Sequence, residues 1–184
     1  MNAILFILAI VVISGLFMIL TYNSLVSLKN RTREAWYDIE VQLKRRYDLI
    51  PNLVNVVKGY ATHESDVFEK VTQARANAIQ GVDRKGVADA EKGVTEALKS
   101  LFAVAENYPQ LKADNNFMNL QEELVDTENK LESARRYYNG CVRDYNTKQE
   151  VFPANIIAGV FNFAKETYFE LENDEERKVP EVKF

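Results

Sequence analysis

Residues 3–20 are apolar apart from Ser14 and Gly15, and Thr21 and Tyr22 close the run. About 20 residues rising about 1.5 Å each cross the hydrocarbon core of a bilayer. The run therefore predicts one N-terminal transmembrane helix, and no later stretch is long and apolar enough to repeat it. Beyond it the apolar positions become periodic. Trp36, Ile39, Leu43, Tyr47, Ile50, Val54, Val57 and Ala61 recur three or four residues apart, which is one stripe on a helix. Pro51 falls inside that stripe. Proline removes one helical hydrogen bond and pushes on the preceding turn. The stripe keeps its phase across Pro51, which predicts a kink rather than a loop.

A shorter helix is expected after His63, capped by Thr62, with Glu64, Asp66 and Glu69 near its positive end. It carries Val67, Phe68, Val71, Ala74 and Ala78. Residues 80–86 contain two glycines among polar residues and read as a turn. The next helix shows Val87, Ala90, Val94, Leu98 and Leu101, and ends before Tyr108-Pro109 because the residue before proline avoids helical geometry. The longest seam is Phe117, Leu120, Leu124, Thr127, Leu131, Ala134, Tyr138, Cys141 and Tyr145, with alternating spacings of three and four. A heptad-like seam of that kind predicts a long helix nearly parallel or antiparallel to its neighbours. Pro153 suits a first helical turn, and a last helix is expected over Ile156, Ile157, Val160, Phe161, Ala164 and Tyr168. The fold class is all-α: a single N-terminal transmembrane helix followed by an antiparallel up-and-down bundle of about four long helices. The expected parts are the anchor at 1–22, the bundle at 23–172 and an acidic, extended tail at 173–184.

The run reads as a retained anchor rather than a cleaved leader. It starts Met1-Asn2 without a basic residue, it ends without a small-x-small site, and the single Cys, Cys141, lies far from it. Lys29, Arg31 and Arg33 follow the span closely. Basic residues resist translocation, so the expected placement is single-pass in the cell's inner (cytoplasmic) membrane, with the N-terminus outside and the bundle in the cytoplasm. The same three residues are the candidate contacts to lipid headgroups. Lys44, Arg45 and Arg46 extend the basic set, while Glu34, Asp38 and Glu40 interrupt it, as on an ordinary solvated helix face. The net charge of −4 leaves no general electrostatic footprint for nucleic acid.

Catalytic chemistry is sparse. The one histidine, His63, stands beside Glu64 at a helix start with no third group fixed near it. Cys141 falls on the apolar seam and reads as a small buried hydrophobe. Neither metal-ligand spacings nor a Gly-rich phosphate loop is present. Glu122, Glu123, Glu128 and Glu132 share a helix but lack the Glu-x-x-His partner of carboxylate metal bundles. The residues thus point to no catalytic, cofactor-binding or metal site. Asn52, Asn55, Asn129, Asn139 and Asn146 read as hydrogen-bonding positions that specify the fold.

A set of phrases runs through the chain in order. Gln42-Leu43-Lys44-Arg45-Arg46-Tyr47-Asp48-Leu49-Ile50-Pro51-Asn52-Leu53-Val54 precedes Val57-Lys58-Gly59-Tyr60-Ala61-Thr62-His63-Glu64. Ala105-Glu106-Asn107-Tyr108-Pro109, Leu120-Gln121-Glu122-Glu123-Leu124, Ala134-Arg135-Arg136-Tyr137-Tyr138-Asn139 and Asp144-Tyr145-Asn146 follow. Together they resemble the LemA family of bacterial membrane-anchored proteins over nearly the whole chain. The resemblance implies an N-terminal anchor, an up-and-down bundle of about four helices and no established enzymatic activity. One branch of that family is associated with magnetosome membranes, and some members are encoded near a membrane metalloprotease. The expected role is a non-enzymatic, membrane-anchored scaffold or adaptor that self-associates as a homo-oligomer. Its expected partners are membrane lipid and an unidentified membrane protein, with no cofactor. The competing reading is a module that organises or senses anionic lipid at the membrane surface.

Overall fold

The computed structural model describes residues 2–80 and 84–169. Among these residues lie six helices and no strand: α1 (Asn2–Tyr60), α2 (Ser65–Gln80), α3 (Arg84–Glu106), α4 (Pro109–Lys112), α5 (Asn115–Glu150) and α6 (Ala154–Val160). The fold is all-α, an apolar N-terminal helix followed by an up-and-down bundle whose long helices are α1, α2, α3 and α5. The apolar run and the first bundle stripe are one helix, unbroken from Asn2 through Pro51 to Tyr60. Continuity follows from the absence of any glycine–proline punctuation between Leu20 and Trp36 and from the constant phase of the stripe.

The described residues pack as two compact units, one from residues 2–41 and 130–168, the other from residues 42–129 with Phe169. In the first unit, the anchor residues Ile4 to Leu20 project from the body, and packing begins at Thr21. Leu25 is fully buried with Tyr145, Ile157 and Ala158, and Leu28 and Phe163 pack against this group. A turn or more later Ala35, Trp36 and Ile39 are buried, and the Trp36 ring meets Tyr138 edge-on at 5.3 Å. Buried Thr32 satisfies its hydroxyl on the Leu28 carbonyl at 3.0 Å, one turn back.

In the second unit, Leu43, Tyr47, Ile50, Leu53 and Val57 of α1 are buried, as are Phe68 and Val71 of α2, Val94, Leu98 and Leu101 of α3, and Phe117 and Leu124 of α5. α2 packs on α3, and α4 on α3. Asp114 caps α5: its Oδ1 accepts from the Asn116 and Phe117 amides at 2.8 and 3.0 Å. Its Oδ2 accepts from the Tyr60 hydroxyl at 2.9 Å.

Three local expectations are corrected. α2 begins at Ser65, after His63 as expected, but its first turn closes on the Glu64 carbonyl, which accepts from Val67 and Phe68, so Glu64 and not Thr62 holds the cap position. Of the expected turn at 80–86, Gln80 ends α2 and residues 84–86 already belong to α3; Gly81, Val82 and Asp83 lie outside the described residues. The last helix stops at Val160 rather than reaching Tyr168. Asn162 adopts φ 53°, and the amides of Asn162 and Phe163 close on the carbonyls of Gly159 and Ala158 at 3.2 and 2.9 Å. That is a Schellman stop with asparagine in the left-handed position. The acidic tail at 173–184 lies outside the described residues.

After that stop the chain runs back along α5 without regular structure. Tyr138 and Tyr145 donate their hydroxyls to the carbonyls of Thr167 and Ala164 at 2.8 and 3.1 Å. The Asn146 side chain gives its amide N–H to the Glu166 carbonyl at 2.9 Å and accepts the Glu166 amide at 3.0 Å. Asn146 thus specifies the fold by holding an extended segment, not another helix.

Candidate functional site

The residues expected at the lipid headgroups fall on the helix just past the span. At about 100° per residue, Lys29 and Arg33 share one face and Arg31 points the other way. Arg33 is exposed and Lys29 half-buried. Arg31 is turned to α5, where its Nε donates to the Tyr137 hydroxyl at 3.0 Å and its guanidinium lies 5.6 Å from that ring's centre. The hydrogen bond to Tyr137 raises the Arg31 pKa above its ordinary value. The three residues are therefore a pair plus an exposed residue held to the surface of α5.

Arg46, part of the extended basic set, is buried and has no access to lipid. It reaches into the second unit, where Nη1 pairs with Glu91 Oε2 at 2.5 Å and Nη2 donates to Thr95 Oγ1 at 2.9 Å. Its Nε lies 3.3 Å from Glu128 Oε2 but does not aim a hydrogen at it. Tyr47 donates to Glu91 Oε1 at 2.6 Å, and Arg75 donates to the Tyr47 carbonyl at 2.7 Å. Both carboxylate oxygens of Glu91 are thus occupied by partners from α1.

This network was missed in the sequence, yet a signal exists. Arg46 sits between Leu43 and Ile50 on the apolar stripe, and Glu91 precedes Val94 and Leu98 on the stripe of α3. Opposite charges at core positions of two helices mark a buried pair, since an unpaired charge there is prohibitive. The network has the composition of an acid–base site and the geometry of a structural one. Both Arg46 terminal nitrogens and the Tyr47 hydroxyl face acceptors, while Arg46 Nε has only the charge of Glu128 beside it; hydrogen-bonded pairing of this kind rigidifies and specifies packing.

The remaining candidates do not converge. His63 is exposed in the turn between α1 and α2, and Cys141 is buried in α5. Of the α5 carboxylates, Glu128 faces Arg46 and Glu132 lies 3.6 Å from Arg136. Among the described residues no three His, Cys, Asp or Glu side chains gather as a metal set. A shallow open groove follows one face of α5 past Met118, Gln121, Glu122, Val125, Asp126 and Asn129, and Asp126 there pairs with Arg45 at 3.5 Å.

The anchor is the feature with the plainest physical role. α1 carries a stretch long and apolar enough to cross a membrane, and none of that stretch is buried by the rest of the chain. Residues 35–184 match the model of the LemA family. The chain is similar to the magnetosome proteins MamQ 1 and MamQ 2 of Paramagnetospirillum magneticum, each 24% identical over 179 residues, covering 83% of this chain and 66% of theirs. It is also similar to protein LemA of Metamycoplasma hominis, 25% identical over 137 residues, covering 74% of this chain and 63% of that one. The chain thus spans a little under two thirds of the length of the curated relatives it matches. None of these names describes an enzyme.

Proposed function

The chain belongs to the LemA family, and from that membership and the exposed apolar helix we propose that it is a membrane-anchored, non-catalytic scaffold or adaptor that gathers with further copies of itself. The observation that carries this reading is the continuity of α1. With no hinge between span and body, the rotation and height of the body follow from the helix that crosses the bilayer. Copies brought together then present the same surface at the same level, a geometry that favours closed rings or repeated arrays. Linked sites also bind as if at raised concentration.

Ser14 and Gly15 supply a notch for close approach between spans. No other part of the chain lies within 4 Å of where a Gly15 Cβ would stand, and small residues let helix backbones meet in lipid. Lys29, Arg31 and Arg33 after the span support a cytoplasmic body and an inner-membrane location. The occupied Glu91 carboxylate supports a structural use of the one buried ion-pair network described above. An unidentified membrane protein is the further partner such an adaptor would hold. The test is crosslinking in native membranes, with a known oligomer as positive control. Ladders above the dimer that fade with Gly15→Leu support the reading, and monomer alone overturns self-association. Protease added outside spheroplasts should leave the body whole; digestion reverses the orientation.

A second reading has one specific support. Lys29 and Arg33 share a helix face within a few turns of the span, where anionic headgroups would meet them. Lipid organisation through that pair would weaken steeply with salt, whereas an apolar assembly would not.

A further inference from the structure

Residues 151–164 form the longest run without a charged residue after the N-terminal 28 residues. The run makes the turn at Phe152-Pro153, α6 and the Schellman stop, and it divides into two faces. Ala154, Ile157 and Ala158 are buried. Ile156 and Val160, one helical turn apart, are 57% and 68% exposed; Phe152 in the turn before α6 is 80% exposed, and Phe161 just after it is 48% exposed. The charged residues that bound the run, Glu150 and Lys165, pair with each other at 2.5 Å and close its base. A solvated surface helix has the reverse pattern, with polar residues outward.

The position of this face says what covers it. The ring of Tyr22 lies 4.8 Å from that of Phe161 and 5.7 Å from that of Phe163. Leu25 shares a core with Ile157 and Ala158. At about 1.5 Å per residue, Tyr22 stands about 3 Å and Leu25 about 8 Å beyond Leu20, the end of the apolar run. α6 is thus fixed to α1 at the level where the span leaves the hydrocarbon. Interfacial helices bury their apolar face about 5–10 Å into the boundary between headgroups and acyl chains.

We infer that α6 and its flanking turns are a second membrane contact, a short interfacial element that dips Phe152, Ile156, Val160 and Phe161 into the leaflet from which the anchor emerges. A second copy of the chain fits the face less well. A helix of this length is about 10 Å long, and a stable protein interface buries at least about 1,200 Å² in total. A bilayer asks for no such area and accepts an uncharged apolar surface of any outline. The aromatic contact of Tyr22 with Phe161 and Phe163 then locks the tilt of the body to the membrane plane. Tyrosine at that depth is the residue type that favours the interface. The inference rests on the anchored reading above, and its failure is separable from failure of that reading.

The test is site-directed spin labelling of the full chain in liposomes of a neutral and an anionic phospholipid. Labels are placed singly at Phe152→Cys and Val160→Cys, with Leu16→Cys in the span and Tyr37→Cys on the exposed side of α1 as references. The parent chain, whose Cys141 is buried, is the labelling blank. Collision rates are measured with molecular oxygen, which concentrates in lipid, and with a water-soluble nickel chelate. Oxygen should dominate at Leu16, Phe152 and Val160, and the nickel chelate at Tyr37. Water-like rates at Phe152 and Val160 with lipid-like rates at Leu16 overturn the interfacial element and leave the anchor standing. Water-like rates at Leu16 overturn the anchor itself. Protection at Phe152 from both reagents, rising with protein density in the liposomes, identifies a second copy as the cover and also overturns the inference. Phe152 and Val160 are exposed, so neither label disturbs the core, and agreement of the two excludes a local artefact.

Discussion

Arg46 and Glu91 face each other at 2.5 Å in positions that solvent barely reaches, one on α1 and the other on α3. Removing one member leaves the other buried and charged, a loss of about 3–5 kcal/mol. Arg46→Met and Glu91→Met should each destabilise by that order. The double substitution should cost much less than the sum, because it removes both charges together. Urea unfolding of the detergent-solubilised chain followed by circular dichroism measures all three. Additive losses would contradict a coupled pair.

Asp114 and Tyr60 give the body a pH signature. The Asp114 carboxylate is held below its ordinary pKa, chiefly by the Phe117 amide and then by the Tyr60 hydroxyl. A lowered folded pKa means this stabilisation is complete above the unfolded value of about 3.9 and is lost as pH falls through the folded value. The Tyr60 phenol is raised by its bond to Asp114. Its share is complete below about 10 and is lost as pH rises through the higher folded value. Asp114→Asn keeps a capping oxygen and removes the charge. It should flatten the acid limb of a melting-temperature profile between about pH 2 and 5. An unchanged acid limb would assign acid sensitivity elsewhere.

Leu124 and Leu131 are both buried on α5, whereas Glu123 is exposed. Either leucine changed to alanine should cost on the order of 2–5 kcal/mol, and Glu123→Ala within about 0.5 kcal/mol. The same urea titration compares them, and equal losses would contradict the seam.

Asn146 clasps Glu166 through two reciprocal hydrogen bonds. Asn146→Ala should raise hydrogen exchange at the Glu166 amide and its neighbours while leaving the α5 amides protected. Exchange that rises equally along α5 would mean that the clasp supports the helix and not the returning segment.

That returning segment marks where sequence periodicity stops being informative. The stripes of α1, α3 and α5 were legible because each buries one face against neighbours for many turns, so a period of 3.6 accumulates. Even the passage through Pro51 could be read from the constant phase on either side. Ile156 to Tyr168 carries enough apolar residues to imitate a helix, but one left-handed residue, Asn162, ends it. A single backbone conformation of that kind leaves no periodic trace. The partners of Tyr138, Tyr145 and Asn146 were hidden for a related reason, since backbone carbonyls of an extended segment have no residue identity to read. Of the candidate site, the span and its basic flank were legible. The separation of Arg31 from Lys29 and Arg33 required its contact with Tyr137, and the burial of Arg46 required Glu91.

The packing also fixes where the anchor should be cut. Thr21 and Leu25 are buried in the body and Tyr22 meets Phe161 and Phe163, so a fragment beginning near Leu28 would open the core. A fragment beginning at Thr21 keeps it. The most direct measurement of the central claim is therefore the mass of the full chain in mild detergent, by light scattering after size exclusion, beside the fragment from Thr21. The account predicts a homo-oligomer larger than a dimer for the full chain and a monomer for the fragment. A monomeric full chain would contradict the claim that this protein acts by gathering copies through its anchor.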